Sequence, residues 1–323
     1  MSTATATANV FGSEVPQPAQ HGQPGGIMRR LNFVTGLIGG LALATIAGVV
    51  TNILTPSGAS TATFAPAAPD YVYLAVLLGW VIGFMAGMGA FVGPIRWLLG
   101  RDITHADAEY LAGKDLGWKR YWKFTTDHKV VGVQYLIMVM IILGFGGLLA
   151  MLIRTELGVT WAEVFSPSFY NSIIGTHGIA MIIGMIIVVM GPIANFIVPI
   201  MIGARDMAFP RLNALSLWLL VAATPCLISS LFQGGVQDGW SVYQPLASQG
   251  PPGMLGYQMT IIVFAFSTGV ASVNLMVTTL TMRAKGMTWS RTPILVYGVF
   301  AAALMGLYAF PFYQYSQILA MSD

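Results

Sequence analysis

Long apolar runs, broken by short turn-rich or polar stretches, organise this chain. Seven of them, roughly 31–54, 71–95, 130–153, 170–200, 212–233, 255–281 and 292–315, are long enough to cross a bilayer, which takes about 20 residues of helix. The pattern predicts an all-α integral membrane protein with seven transmembrane helices. TPSGAST and APAAPD separate the first pair of runs, and GGVQDGWSVYQPLASQGPPG separates the fifth and sixth. Residues 1–30 are mostly Ser, Thr, Ala, Gln, Gly and Pro, too polar to bury a core, so a disordered tail is expected there. A signal peptide fits poorly, because Arg29 and Arg30 come late and the next apolar run is long enough to span. The chain thus divides into a tail (1–30), a pair of spans (31–95), a charged connector (96–129) and five further spans (130–323).

Composition sharpens this picture. Charged residues make up 8% of the chain, hydrophobic ones 56%, and mean hydropathy is +0.73. An ordinary soluble domain carries roughly 25% charged residues. A water-soluble globule, a disordered chain and a nucleic-acid binder are therefore excluded. The single cysteine, Cys226, leaves no intrachain disulfide and no thiolate metal cluster. With the N-terminus placed inside, 14 of the 15 basic residues fall on inner segments and only Arg154 falls outside. That asymmetry predicts N-terminus inside and C-terminus outside.

Polar residues within the spans carry the candidate chemistry, because ionisable groups in a membrane are costly. His177, in NSIIGTHGIAMIIGM, lies seven residues into its span, or roughly 10 Å deep. Gly175, Gly178 and Gly184 leave room beside it for a flat ligand, so it reads either as an axial haem ligand or as a histidine hydrogen-bonded to a neighbouring helix. Asp206, in IGARDMAFPRLN at the inner end of the fourth span, reads either as an interfacial carboxylate paired with Arg205 or Arg211, or as a proton collector. Asn195, Asn213, Tyr135, Ser267, Thr268 and Asn274 continue inward from it, and such side chains also serve simply as helix–helix contacts. Arg154, followed by Glu156, is either half of a surface ion pair or a guanidinium aimed at a buried polar group. Trp122, Trp161, Trp240 and Trp289 fit interfacial belts. Gly83, Gly87 and Gly89 suggest close helix packing. The chain has no phosphate-binding or dinucleotide glycine loop, no HExxH and no Ser–His–Asp set.

Four blocks give these spans a family look: TTDHKVVGVQYL, THGIAM, NFIVPIMIGARDMAFPRLNALSLW and MRAKGMTWSRTPILV. Together with GWSVYQPL, they resemble subunit I of the haem–copper terminal oxidases, the cytochrome c and quinol oxidases. The resemblance covers about 123–323 and implies the family's first five core helices, with the two preceding spans as an accessory hairpin. It implies that His177 is one of two axial ligands of a low-spin haem. It implies that Arg154 bonds that haem's formyl group if the haem is of the A type. Glu156 matches a residue that helps hold calcium or sodium in some members. Asp206 matches the mouth of the D proton channel, and Asn195, Asn213, Tyr135, Ser267, Thr268 and Asn274 match its lining. Trp240 and Tyr243 match the loop above the active-site haem.

The departures carry equal weight. The low-spin haem needs a second histidine, and the high-spin haem and copper of the binuclear centre need four more. The remaining histidines, His21, His105 and His128, lie in the tail or on the inner side. The expectation is therefore a component of a respiratory oxidase that reduces oxygen to water with proton pumping, inactive as this chain alone. A separate chain carrying the C-terminal half of subunit I would complete it. Subunits II and III, membrane lipid and a small electron donor are the other expected partners, in a bacterial-type cytoplasmic (or inner) membrane. Phe145, Leu149, Phe169 and Ser172 occupy positions where quinol-binding groups would stand, which favours cytochrome c as donor. Gln244 replaces a usual proline of the loop. The stretch from His177 to Asn195 is one residue short of the family pattern, which unsettles the helix near Gly191 and Pro192. The competing expectations are a non-catalytic assembly remnant of the same family and a small-solute transporter, the latter without any internal repeat in its favour.

Overall fold

In the computed structural model, the structure describes residues 26–54, 70–101, 105–112, 117–158, 163–243 and 245–322. The tail up to residue 25 with His21, the linker 55–69, Lys114, Trp161 and Gln244 lie outside the described residues. All regular structure among them is helical. In chain order the helices are α1 (Phe33–Leu54), α2 (Asp70–Met88), α3 (Val92–Leu98), α4 (His105–Ala112), α5 (His128–Gly158), α6 (Pro167–Val188), α7 (Ala194–Ile202), α8 (Pro210–Phe232), α9 (Leu246–Gln249), α10 (Gly253–Thr281) and α11 (Ile294–Ser322). Seven spans are long and apolar enough to cross a membrane: α1, α2, α5, α6 continuing into α7, α8, α10 and α11.

These segments are helices because a chain in hydrocarbon must satisfy its own backbone, and an apolar run can do so only locally. Two departures from the sequence expectation have identifiable causes. The second span stops at Met88, short of the predicted 95. Gly89 turns there with φ +87°, and α3 leaves in a new direction. The fourth span stays continuous but widens into one π turn, Val189–Ile193. Pro192 inside that turn has no N–H to donate. The side-chain amide of Asn195 donates to the carbonyls of Met190 (3.2 Å) and Gly191 (2.9 Å). The irregularity thus falls at Gly191 and Pro192, where the spacing placed it.

α1 and α2 form a tight hairpin. Its seam on α1 is Gly36, Gly40, Ala44 and Gly48, small residues four apart that are all buried. A Cβ on Gly83 would stand 2.2 Å from the Gly39 carbonyl, and one on Gly87 equally close to that of Thr35. Close backbone approach through small residues is how helices gain van der Waals contact where water supplies no driving force. Gly83 and Gly87 thus match their predicted role, whereas Gly89 is a turn residue. The hairpin docks on the five-helix core by two polar clasps: Trp80 Nε1 donates to the Ala222 carbonyl (2.9 Å), and the Tyr73 hydroxyl bonds that of Ser229 (2.7 Å).

The connector is tied from inside the bundle. Gln134 Nε2 donates to the carbonyls of Tyr121 (3.0 Å) and Lys123 (2.9 Å), and holds the 3-10 turn Gly117–Trp122 against α5. Asp107, fully buried, accepts from the Met28 N–H (3.1 Å) and pairs with Arg96 (2.5 Å). It joins the entrance to α1, α3 and α4, and this is the one ion pair among the described residues.

Candidate functional site

The expected site residues separate into two groups at opposite ends of the core. His177 lies on α6, half-buried. Its Nδ1 is 2.8 Å from the Gly146 carbonyl of α5. A carbonyl can only accept, so the ring proton sits on Nδ1 and Nε2 keeps its lone pair. That is the tautomer a metal-binding imidazole needs, with its orientation fixed by a backbone acceptor. Ile174, one turn before it, and Met185 are exposed, while the histidine itself is half-buried.

The glycines around it do something other than predicted. A Cβ at Gly175 would meet the Val236 carbonyl at 2.5 Å, one at Gly178 would meet Trp240 Cβ at 2.9 Å, and one at Gly184 would meet Leu143 at 2.6 Å. They admit protein, in particular the 234–243 loop, and leave no slot for a ligand. Open space lies instead beside Gly144 and Gly147 of α5.

Trp240 therefore packs next to His177's own turn. Its carbonyl accepts from the Tyr257 hydroxyl (2.7 Å), which in turn bonds Tyr313 (3.0 Å). Two residues on, Val242 has φ +46°, a strained value for a β-branched residue. Strain of this kind persists only where surrounding contacts fix it, and here it sets the loop that carries the exposed Tyr243. Arg154 is exposed near the end of α5 and makes no ion pair with Glu156. Instead Glu156 Oε2 accepts from the N–H groups of Val164 (3.1 Å) and Phe165 (2.9 Å) and closes the α5–α6 connection. No group of three metal-ligating side chains occurs among the described residues.

At the other end, Asp206 sits in the 203–209 turn between α7 and α8. It pairs with neither Arg205 nor Arg211. Its Oδ1 accepts from the Met207 N–H (2.7 Å). Burial raises its carboxyl above the usual range, and the Met207 N–H and the nearby His128 only partly offset this. Asn274 of α10 grips the turn from both sides: Oδ1 accepts from Phe209 N–H (2.8 Å) and Nδ2 donates to its carbonyl (3.2 Å). Thr278, one turn along, accepts from Ala208 N–H (2.9 Å).

Deeper in, the Tyr135 hydroxyl bonds that of Ser216 (2.8 Å), which donates to the Asn213 carbonyl (2.8 Å), and Ser267 donates to the Ser216 carbonyl (2.5 Å). Tyr135, Ser267, Thr268 and Gly191 line a cavity of about 20 Å³, enough for one water. Asn195 Oδ1 and Asn213 Nδ2 are buried without partners, the usual mark of a site for ordered water. Thr268 bonds only its own helix, at Phe264 (2.9 Å).

Sequence reasoning missed three members of this cluster. Ser216 lies three residues after Asn213, and Thr278 four after Asn274, spacings that share a helix face. His128 is the third, which the sequence places only on the inner side. It is buried, donates from Nδ1 to the Asn195 carbonyl (2.9 Å) and stands beside Asp206.

The polar inner cluster and the oriented histidine occur together on five helices that match a known family. Residues 130–323 match the family model "Cytochrome C and Quinol oxidase polypeptide I". The chain belongs to this family. Among relatives, the cytochrome c oxidase subunit 1 of Thermostichus vulcanus is 38% identical over 208 residues, 64% of this chain and 38% of the relative. That of Corynebacterium diphtheriae is 38% identical over 213 residues, 64% of this chain and 37% of the relative. A haem-copper oxidase subunit I+III of Aeropyrum pernix is 34% identical over 201 residues, covering 61% and 25%. The chain thus spans less than two fifths of the relatives it matches. It is a multi-pass membrane protein of the oxidase subunit I family with α1 and α2 added before the matched region. For a haem, the residues present fit one half of a site: a half-buried imidazole with Nδ1 anchored, while His128, the other histidine of the described spans, is engaged with Asn195 beside Asp206.

Proposed function

We propose that this chain forms the N-terminal part of subunit I of a respiratory terminal oxidase that reduces oxygen to water and pumps protons. His177 would hold one axial position of a low-spin haem through Nε2, with Gly146 fixing the ring. Arg154 would reach the haem's formyl group if the haem is of the A type, and Trp240 and Tyr243 would shape the loop beside it. When bound, haem iron supplies the one-electron chemistry, and the protein orients and shields it. The second low-spin ligand, the high-spin haem and the copper would be held by a C-terminal half of subunit I on a separate chain. This is supported by the histidine count, because the described spans hold only His177 and His128, and His128, the first residue of α5, is engaged with the Asn195 carbonyl. Subunits II and III and cytochrome c would complete the assembly. An ion at Glu156, calcium or sodium, would need ligands beyond this chain's described residues.

Asp206 would take up protons from the inner side. Its turn is anchored by Asn274, and the route would run past Asn195 and Asn213 to the water-sized cavity at Tyr135, Ser267 and Thr268. The basic-residue asymmetry supports N-terminus inside and C-terminus outside, in a bacterial-type membrane.

The observation that carries this reading is the tautomer of His177, with Nδ1 engaged by the Gly146 carbonyl and Nε2 without a hydrogen-bond partner among the described residues. The test is His177→Leu in the assembled complex. Loss of the low-spin haem absorbance, with all subunits still assembled, is the expected result. An unchanged spectrum would leave only a non-catalytic assembly protein of the same family.

A further inference from the structure

One cavity lies apart from the His177 group, beside the start of α8. It is about 400 Å³ in volume and sits at the basic end of the bundle, where the accessory hairpin meets the core. Its charged members are Arg96 of α3, Asp107 of α4 and Arg211 of the first turn of α8. Trp97, Phe124, Leu212 and Leu215 supply apolar wall. Arg96 and Asp107 neutralise each other. Arg211 is exposed and takes part in no ion pair among the described residues. Its guanidinium lies across α3 at Gly93, where a Cβ would stand 3.3 Å from Nη1. The site therefore carries one uncompensated positive charge over an apolar floor.

Its surroundings belong to a membrane interface. Ile95, Trp97, Leu98 and Leu99 on and just after α3 are all exposed, Trp97 at 78%. A short helix with bare apolar side chains beside a guanidinium suits the boundary between headgroups and acyl chains. Basic pockets between spans on the inner side are a known way to hold acidic headgroups, and a volume of this size is in the range of ligand pockets.

We propose that this cavity binds an anionic phospholipid, with its phosphodiester on Arg211 and its acyl chains along α3 and Trp97. A lipid of net charge −1 matches the single unpaired cation, whereas a zwitterionic lipid brings its own cation to the site. The proposal is independent of the oxidase reading, because every residue of the charged set lies outside the haem half-site and the proton route.

The test uses the full chain in its native assembly. Phosphatidylglycerol is titrated against phosphatidylcholine in detergent and retained lipid is counted by native mass spectrometry. Phosphatidylglycerol should bind more tightly. Arg211→Gln should weaken it about fivefold, the worth of one interfacial cation, and Arg291→Gln, an exposed inner-side control, should not. As a second measurement, phosphatidylglycerol with brominated chains, dilute in phosphatidylcholine, should quench an emission component that Trp97→Phe lacks. Equal retention of the two lipids overturns the proposal, as does equal weakening by both arginine variants. Displacement of the lipid by inorganic phosphate would assign the site to the free anion and overturn it as well.

Discussion

The two ends of the five-helix core solve opposite problems. Around Asp206 the chain closes on itself: Asn274, Thr278, Met207 and His128 surround the turn, and the polar groups behind it lead to a void the size of one water. Around His177 the chain stays more open: one ring nitrogen is anchored to Gly146, the other has no partner among the described residues, and Ile174 one turn away is exposed. A group that handles protons can be built from one chain, because water completes it. A haem held by His177, as proposed, needs a second flank, and among the described residues no other histidine stands beside it.

The largest effect should come from removing the group that defines the closed end. Asp206→Asn keeps the shape and the Met207 contact but cannot exchange a proton. Turnover of the assembled oxidase should fall on the order of 10–100-fold, toward the low end of what a positioned proton-transfer group is worth, while the haem spectrum stays intact. Unimpaired turnover would erase the functional side of the comparison. Stability gives an independent readout. Burial raises the Asp206 carboxyl in the folded state, so the folded protein binds that proton more tightly than the unfolded chain does. Its contribution is favourable below the ordinary carboxylate pKa and is lost as pH rises through the raised value. Asp206→Asn should therefore stabilise the protein at neutral pH and make no difference in acid.

Next comes the clamp. Asn274→Ala removes both bonds to Phe209. The Phe209 carbonyl still accepts from Asn213 N–H, but its own N–H is left without a partner. A cost of about 1–3 kcal/mol follows, measured as a lower unfolding midpoint. The same variant should slow proton uptake with Asp206 still present. A similar change on the His177 end, such as Tyr243→Ala, should cost under about 0.5 kcal/mol, because that side chain is exposed.

Lys123 offers a pH test beside the closed end. It is buried at 1% exposure, its Nζ has no hydrogen-bond partner, and it rests 3.6 Å from the centre of the Tyr110 ring. Burial, with Arg29 adding repulsion, lowers its amine to about 8. The unfolded chain then holds more protons between that value and the ordinary lysine pKa, so stability rises with pH across this window, and the cost is fully present below it. The rise should be on the order of 1–3 kcal/mol. Lys123→Met should abolish it and stabilise the protein at neutral pH.

The spans were legible in the sequence because hydrocarbon allows few alternatives to a helix. The same holds for the hairpin's tight seam, which Gly83 and Gly87 announced. The end of α2 was not, because Gly89 looks like any packing glycine until its φ is known. Asp206, Asn195, Asn213 and Tyr135 could be named from their order along the chain. Ser216, Thr278 and His128 could not, because their roles depend on partners 67 to 81 residues away. His177 was visible as a lone intramembrane imidazole. What the sequence left open was which nitrogen is free, and a backbone carbonyl on another helix decides that. The glycines beside it misled, because small residues admit a loop as readily as a cofactor.

A small effect should also come from the α1–α2 hairpin, whose seam is built of small apolar residues. Trp80→Phe keeps an aromatic ring stacked near Phe84 (5.6 Å between centroids) and filling the space over Gly40. It removes only the bond from Nε1 to the Ala222 carbonyl. That carbonyl is within α8 and keeps its own helix acceptor role, so nothing buried is left unsatisfied. Interhelical side-chain bonds in membranes are worth about 0.6 kcal/mol on average, and a loss of that size is expected in a reversible unfolding measurement. The small number is itself informative. If the hairpin is held by its glycine seam and broad contact with α8 and α10, one clasp is a minor share. A loss of several kcal/mol would mean that the hairpin hangs on single polar contacts, and that the closed pattern stops at the edge of the five-helix core.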